Sequence, residues 1–536
     1  MVAERFRPYL PRERIDGHRM AGEWPQRGLA ELAADRLATD SASEILVDGP
    51  VRLTVDDLVC RARGLAGGLA GLGVGAGDVV SWELPSWWES AALAIAIDWV
   101  GAINNPIIPI YREREVTFVA RQAGSRVLLV PGEFRGFDFR DLARTVRASS
   151  DSLEHIVVVR DRPGEGMLGF EDLMAGPTLP ERVERSPDDV AMLFYTSGTT
   201  AAPKGVMHTT STMGAYTAAS VLAMGTSGGD VGLLQFPLTH IGGLSAFVAV
   251  PLMTGSRVVY LDAWEPDAAL DLIEREQVTS AGGPPVILQG LMAAPSLTPQ
   301  RVRSLRSAGT GAAGIPPQLV REVGERLGAV SYRAYGLTEC PMLTTGRRDD
   351  PEEKRMHSDG RPSPGCRVRV VDAHGNEVGR GVEGEIEAFG PQLCVGYLDD
   401  SLNAAAFTED GFLRTGDLGV VDEDGYVRVT GRVKDIIIRK GENLSAQAME
   451  AVLHEHPDVV DVTVVGLPDA ARGERACAVV VPREGARLTL GVLRDYMVER
   501  QVMRQMIPEQ LEMVETLPRN ATGKVLKFEL RKRFRN

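Results

Sequence analysis

A chain of 536 residues is longer than one hydrophobic core sustains, and at roughly 150 residues per domain it predicts three or four folding units. Hydrophobic residues at 44% and charged residues at 25% are ordinary soluble usage, and 58 Gly with 32 Pro fall short of the roughly 25–30% of low-complexity chains, so disordered and fibrous classes are excluded. The formal net charge of −14, unrelieved by any long basic block, disfavours a protein built to track a nucleic-acid backbone; an anionic ligand has to be held locally. Cys60, Cys340, Cys366, Cys394 and Cys477 stand far apart, without a CxxC pair or matching His spacing, so neither a disulfide frame nor a zinc cluster is expected and a reducing cytoplasm fits. The N-terminus mixes charges without an apolar run, and the most apolar stretch, Ala91 to Ile110, is broken by Asp98, Asn104, Asn105 and two prolines; neither a signal peptide nor a membrane span is expected.

From about Leu29 to Val130, helical periods (GLAELAADRLA, DDLVCRARGLAGGLAGLG, SWWESAALAIAIDWVGA) alternate with short apolar runs (VVSWEL, SRVLLV), which is the pattern of an α/β fold. The rhythm continues through HIVVV, VAMLFYT, VGLLQFP, SRVVYL and VTSAGG, each followed by a turn, and predicts a doubly wound sheet with its loops at the strand ends. Between about Gly365 and Val429 the text changes to short alternating strands, RVRVVDAHGNEVG, GEIEAFG and GYVRVTG, with AHGN and EDGY as hairpin signals. A fresh α/β run follows Gly431 and occupies about 100 residues, enough for a small domain, so the boundary is placed at the Gly431 to Lys434 turn.

The segment Tyr195 to Gly205, YTSGTTAAPKG, follows the strand-like VAMLF and gathers glycine, hydroxyls and one lysine in a single loop. Exposed N–H groups, short hydroxyl donors and one mobile ammonium suit a polyphosphate. A Walker A loop needs lysine after its second glycine, whereas Lys204 precedes Gly205, so a P-loop kinase or GTPase is disfavoured. The run Gly309 to Gly314 spells GxGxxG, but the preceding RSLRSA is a poor strand and no acid stands about 20 residues on, which disfavours a dinucleotide site.

The loop resembles the signature of the acyl-adenylate-forming superfamily, which includes acyl-CoA synthetases, peptide-synthetase adenylation domains and luciferases. FPLTH (Phe236 to His240), YGLTE (Tyr335 to Glu339), RTGD (Arg414 to Asp417), GRVKD (Gly431 to Asp435), KGEN (Lys440 to Asn443) and PRNATGK (Pro518 to Lys524) follow in that family's order, so the resemblance runs from about Leu29 to Leu530. It implies an α/β fold with a large ATP- and acyl-binding domain of doubly wound sheets at 1–432, a β-rich subdomain at about 365–430, and a small mobile α+β domain at 433–536.

It further implies roles. Thr196, Ser197, Gly198, Thr199, Thr200 and Lys204 would cradle the phosphates of ATP, and Thr196 with Glu339 would hold Mg²⁺, a cation that takes oxygen ligands. Tyr335 would stack on adenine beside Gly336, with Thr338 on phosphate and Gly311, Ala312 and Ala313 bordering adenine and acyl chain together with Gly282 to Val286. Asp417 would accept both ribose hydroxyls, Arg432 would add a nucleotide contact, Lys434 would be the hinge and Gly441 would line the pantetheine path. Lys524, in a basic tail, would bridge substrate carboxylate and α-phosphate. His240 would line the acyl pocket at the thiol's entry; with Lys524, Glu339 and Thr196 it completes the candidate catalytic set.

The implied activity is an ATP-dependent carboxylic acid–CoA ligase in two half-reactions: acyl-AMP and pyrophosphate first, then acyl-CoA and AMP. Transfer to a carrier protein remains a second reading, and a non-catalytic nucleotide-binding protein a third. Amino-acid-activating relatives place an Asp early in the FPLTH segment; Phe236 to Leu244 holds no acid, so an amino acid substrate is disfavoured. The compact Val433 to Asn443 spacing lacks the insertion of fatty acyl-AMP ligases. The segments Phe134 to Asp138 and Met356 to Pro362 resemble ligases for short- to medium-chain fatty acids and cyclohexanecarboxylate, which implies a neutral apolar acid. Two departures stand out: Ala201 occupies a phosphate-loop position that is usually Gly, and RQMIP at Arg504 to Pro508 keeps one positive charge where relatives carry two.

Overall fold

The computed structural model describes residues 5–11, 17–24, 27–196, 203–439, 442–469, 473–500, 502–520 and 523–535. Two large sheets form its body. One orders its strands Gly396–Tyr397, Lys204–Thr209, Val190–Thr196, Ile103–Pro106, Val79–Trp82, Ser125–Pro131, His155–Val159 and Leu168–Gly169. The other runs Arg361–Pro362, Thr344–Thr345, Val330–Tyr335, Ser307–Thr310, Ser280–Ala281, Val231–Leu234, Arg257–Tyr260, Glu44–Asp48 and Val51–Thr54. Their central strands are parallel and largely buried, as sheets covered on both faces require. The helix Trp88–Trp99 has every residue buried, and it shares one core with Leu46, Leu234 and Val258 of one sheet and Val80 and Leu129 of the other. That helix, buried all round with its Glu89 and Asp98 held by Arg160 and Arg185, is the filling between the two sheets.

Local chemistry sets the helix ends. Thr54 accepts the N–H of Asp57 to start Val55–Gly71, Asp138 accepts that of Arg140 to start Phe139–Ala148, and Gly124 closes Glu113–Ala123 in the left-handed conformation. A four-stranded antiparallel sheet, Arg367–Val371, Gly384–Phe389, Leu413–Val421 and Val427–Arg432, follows the body. A short 3₁₀ turn, Val433–Asp435, leads to the last sheet, where Val459–Asp469 pairs with Gly473–Pro482, flanked by Ile436–Arg439 and Gln510–Met513.

The structure departs from the sequence-based expectations at one strand and adds detail at two other places. Ser307–Thr310 is a strand although RSLRSA reads poorly, because parallel neighbours on both sides supply pairing that propensity lacks. Ile103–Pro106 is a strand despite its asparagines: Asn104 accepts the Trp82 Nε1–H at 2.6 Å and donates to the Ala94 carbonyl at 3.1 Å, which satisfies its amide, and Asn105 donates to Ser81 at 2.7 Å while its Oδ1 is buried without a partner. The AHGN turn forms the expected hairpin, a short one: Val371 bridges Glu377 and the Val378 N–H donates to the Val370 carbonyl at 2.9 Å, while Arg367–Val371 takes Gly384–Phe389 as its main partner.

Candidate active site

The site lies at the carboxyl ends of the parallel strands, where open α/β sheets bind ligands. The hairpin of Val190–Thr196 and Lys204–Thr209 sets Thr196 directly opposite Lys204, so its connecting turn is the glycine- and hydroxyl-rich loop. Ser197, Gly198, Thr199, Thr200 and Ala201 lie outside the described residues, as does Gly441. Lys204 Nζ sits over the Tyr397 ring, 5.0 Å from its centre, and the Tyr397 hydroxyl donates to Glu339 Oε1 at 2.6 Å. Burial and the Glu339 carboxylate push the Tyr397 phenol well above its ordinary pKa, so it stays a donor.

The YGLTE segment follows the strand Val330–Tyr335. Gly336 is required by close approach, since a Cβ there would lie 2.4 Å from the Met342 nitrogen. The carbonyl of Thr338 accepts from Nε2 of His208, 2.8 Å away, and His208 Nδ1 lies 3.1 Å from Thr212 Oγ1. Complete burial holds this histidine down at about 4, so the ring is neutral and Nε2 carries the proton that the carbonyl needs. The strand bearing Lys204 and the segment bearing Thr338 and Glu339 are thereby pinned together.

On the other side, Asp417 is 2% exposed; its Oδ2 accepts the Tyr335 hydroxyl at 2.8 Å and its Oδ1 pairs with Arg432 Nε at 2.7 Å. Both anchors place the carboxylate beside the ring assigned to adenine. Gly311, Ala312 and Ala313 follow the strand Ser307–Thr310: a Cβ on Gly311 would lie 2.8 Å from the Ala334 carbonyl, and Ala312 is held at φ 67°. A non-glycine residue in that conformation costs energy and marks a constrained turn at the site. The Gly283 N–H donates to the Gly309 carbonyl at 2.9 Å, which joins this turn to the Gly282 to Val286 segment.

Lys524 reaches this cluster from the small domain. Its N–H donates to Asn520 Oδ1 at 2.9 Å, and Gly523, at φ 78°, rests on the large domain so closely that a Cβ would lie 3.2 Å from Val286 Cγ1 and 3.3 Å from Pro284 Cβ. Partial burial, reinforced by Arg432 and Lys434 against the pull of Asp417 and Asp435, lowers the ammonium to about 8. Lys434 lies in the 3₁₀ turn between the last strand of the β-rich sheet and the small domain.

His240 caps the short helix Ile241–Leu244, its Nδ1 accepting from the Gly242 N–H at 3.1 Å, and desolvation lowers it to about 4. Phe236 of the same segment borders Gly283, 3.4 Å from where its Cβ would be, and stacks edge-on against Phe247 at 5.5 Å. Sequence reasoning passed over two contributors, His208 and Tyr397. The burial of every residue from Gly205 to Thr209 hides the signal for His208, and Tyr397 sits in a two-residue strand that only long-range pairing creates.

Among the described residues no three His, Cys, Asp or Glu side chains gather into a cation site. Glu339 nonetheless fits Mg²⁺, which binds through one or two carboxylates together with substrate phosphates and water: the Tyr397 hydroxyl engages one of its oxygens, and its chain neighbours place it beside Lys204.

Fold and cluster together define an adenylate-forming acid ligase. Residues 33–398 match the AMP-binding enzyme model and residues 448–524 the AMP-binding enzyme C-terminal domain, and the chain belongs to the AMP-binding enzyme family. It is 32% identical over 525 residues to the medium-chain fatty-acid–CoA ligase of Escherichia coli K12, covering 97% of this chain and 93% of that protein. It is 34% identical over 529 residues to the 2,3-dihydroxybenzoate-AMP ligase of Bacillus subtilis 168, covering 98% and 97%. ATP-bound MatB from Rhodopseudomonas palustris superposes with a TM-score of 0.87 at 28% identity over 95% of this chain and 99% of that one. Among the described residues no helix is long and apolar enough to cross a membrane.

Proposed function

We propose that the protein is an ATP-dependent carboxylic acid–CoA ligase acting on a neutral apolar acid, a short- to medium-chain fatty acid or an alicyclic one. The observation that carries this reading is the placement of Lys524 within electrostatic reach of Asp417 and Arg432 while Gly523 rests on Pro284 and Val286. An ammonium held there meets both the acyl carboxylate and the α-phosphate, and its fixed charge stabilises the developing transition state. Asp417 and Tyr335 hold the nucleoside, and Lys204, Thr338 and the loop begun by Thr196 hold the phosphates. Mg²⁺, held by Glu339 and Thr196, supplies charge neutralisation on the phosphates when bound. His240, neutral at physiological pH, lines the acyl pocket.

In the second half-reaction the thiol of CoA attacks the acyl carbon and AMP leaves with the bonding pair. Lys524 has no task in that step, so the small domain, about 433–536, turns at Lys434 to bring Gly441 to the pantetheine. The near-full-length likeness to a fatty-acid–CoA ligase supports CoA as acceptor. The equally extensive likeness to an AMP ligase favours a second reading, in which acyl-AMP passes to a carrier protein. Five free thiols support a cytoplasmic setting.

The test is pyrophosphate release over octanoate, cyclohexanecarboxylate, benzoate, 2-hydroxybenzoate, leucine and adipate, with and without CoA. The reading expects the first two acids to lead, leucine and adipate to fail, and an acyl-CoA product. Turnover led by 2-hydroxybenzoate, or acyl-AMP that CoA does not consume, would replace it.

A further inference from the structure

Lys524 is a flexible side chain on a short loop, and a misplacement of about 1 Å costs on the order of 10²-fold in such a reaction. Something has to fix the loop. Its backbone closes on itself: Arg519 bridges Val525 antiparallel, the Leu526 N–H donates to the Pro518 carbonyl at 2.8 Å, and the Asn520 N–H to the Lys524 carbonyl at 2.9 Å. These bonds shape the loop, and Val525 packs it on the small-domain core around Val465, Leu467 and Leu517.

One guanidinium adds a polar tie between the loop and the long strand of the domain. Arg519 Nη1 donates to the carbonyl of Gly523, the residue before the lysine, at 2.5 Å, and Nη2 donates to Asp461 Oδ2 at 2.6 Å. Asp461 lies on Val459–Asp469, the long strand of the small domain, paired with Val481. His454 approaches its other oxygen at 3.9 Å, but burial lowers that imidazole, which is neutral at physiological pH. Arg519 is thus the cation that Asp461 holds. Gly523 is gripped on its carbonyl by Arg519 and rests with its α-carbon on Pro284 and Val286.

We propose that Arg519 and Asp461 are the positioning pair that presents Lys524 for adenylation. The proposal rests on the reading of Lys524 as the adenylating lysine. The pair touches neither nucleotide nor acid; it acts through the Gly523 carbonyl. A lysine at 519 could serve one partner at a time, because only the planar fork spans both.

The experiment measures both half-reactions for Arg519→Ala, Arg519→Lys, Asp461→Asn and the double variant Arg519→Ala/Asp461→Asn. Adenylation is followed as single-turnover pyrophosphate release with ATP and the fastest acid of the panel above. Thioester formation is followed from that acid's synthetic acyl-AMP with CoA. Arg519→Ala is expected to slow adenylation by about 10-fold or more and leave thioester formation within about 2-fold. Arg519→Lys and Asp461→Asn should give smaller losses in the same half-reaction, and the double variant should be no slower than Arg519→Ala, because the two residues act as a unit. Equal losses in both half-reactions, unchanged adenylation, or additive losses would overturn the proposal. If Arg519→Ala does not fold, Asp461→Asn, which keeps its side-chain volume, decides on the same two readouts. Lys524→Ala run in parallel separates the premise: adenylation that survives it removes the role of Lys524, whatever Arg519 does.

Discussion

Adenylation should carry a basic limb set by Lys524. The ammonium is lowered to about 8 chiefly by burial and next by Arg432, with Lys434 adding to the effect and Asp417 and Asp435 opposing it. The step needs the charged form, so activity falls as pH rises through that value. One unit above its pKa about a tenth of the lysine stays charged, whereas an unperturbed lysine, at about 10.4, would show no loss in the same range. The measurement is kcat/KM for ATP in the pyrophosphate-release assay between about pH 7 and 10, because this ratio reports groups in the free enzyme. Two variants identify the group. Lys524→Arg carries a cation that does not deprotonate, so its slower reaction should lose the limb. Arg432→Gln removes a neighbouring positive charge and frees Asp417 from its pair, both of which raise the lysine, so the limb should move to higher pH. A limb that persists unmoved in Lys524→Arg, or that appears only near the ordinary lysine value, would refute the argument.

Four other perturbations bear on the remaining parts of the site. Tyr397→Phe removes the 2.6 Å donor to Glu339, a charge-assisted bond of about 1.5–3 kcal/mol; a lower melting temperature and a higher Mg²⁺ requirement are expected, and an unchanged Mg²⁺ titration would separate Tyr397 from the metal. His208→Leu strands the Thr338 carbonyl at a cost of about 1–3 kcal/mol and should raise KM for ATP, with His208→Gln milder because it retains a donor. Because His208 and His240 are both lowered to about 4 in the folded chain, the unfolded chain binds more protons between about pH 6.5 and 4; stability should therefore fall with acidification across that window, and less steeply in His208→Gln, as melting curves would show. Lys434→Pro fixes φ near −65° in the connecting turn and should spare adenylation while blocking thioester formation; normal acyl-CoA turnover would remove the hinge from Lys434.

The parts of this molecule legible in its sequence are those whose chemistry is local. HIVVV and VAMLFYT are strands because strands buried within a covered sheet are largely apolar. Ser307–Thr310 and Ile103–Pro106 escape such reading because their pairing partners, not their own residues, make them strands. His208 escapes for a related reason. Nothing within reach in the sequence indicates that the carbonyl of Thr338, 130 residues on, will stand 2.8 Å from its ring.

Lys524 shows how far the two kinds of information differ. A lysine in a basic tail reads as solvated, and the resemblance gives it a role without a protonation state. Its lowered pKa is a sum over burial and four charges carried by the end of one strand, the turn after it and Asp417 of the neighbouring strand. Arg432, Lys434 and Asp435 belong to the connection between the domains, so the segment proposed to move is also the segment that tunes the lysine. Rotation at this turn would carry Lys524 away from Arg432 and Asp417 into water and return it toward an ordinary lysine. Docking therefore releases a proton between about pH 8 and 10, and the phosphates of ATP, by favouring the charged form, restore it when the substrate arrives. The charge needed for adenylation is in this way strongest when nucleotide is present, and withdrawing it costs least once pyrophosphate has left.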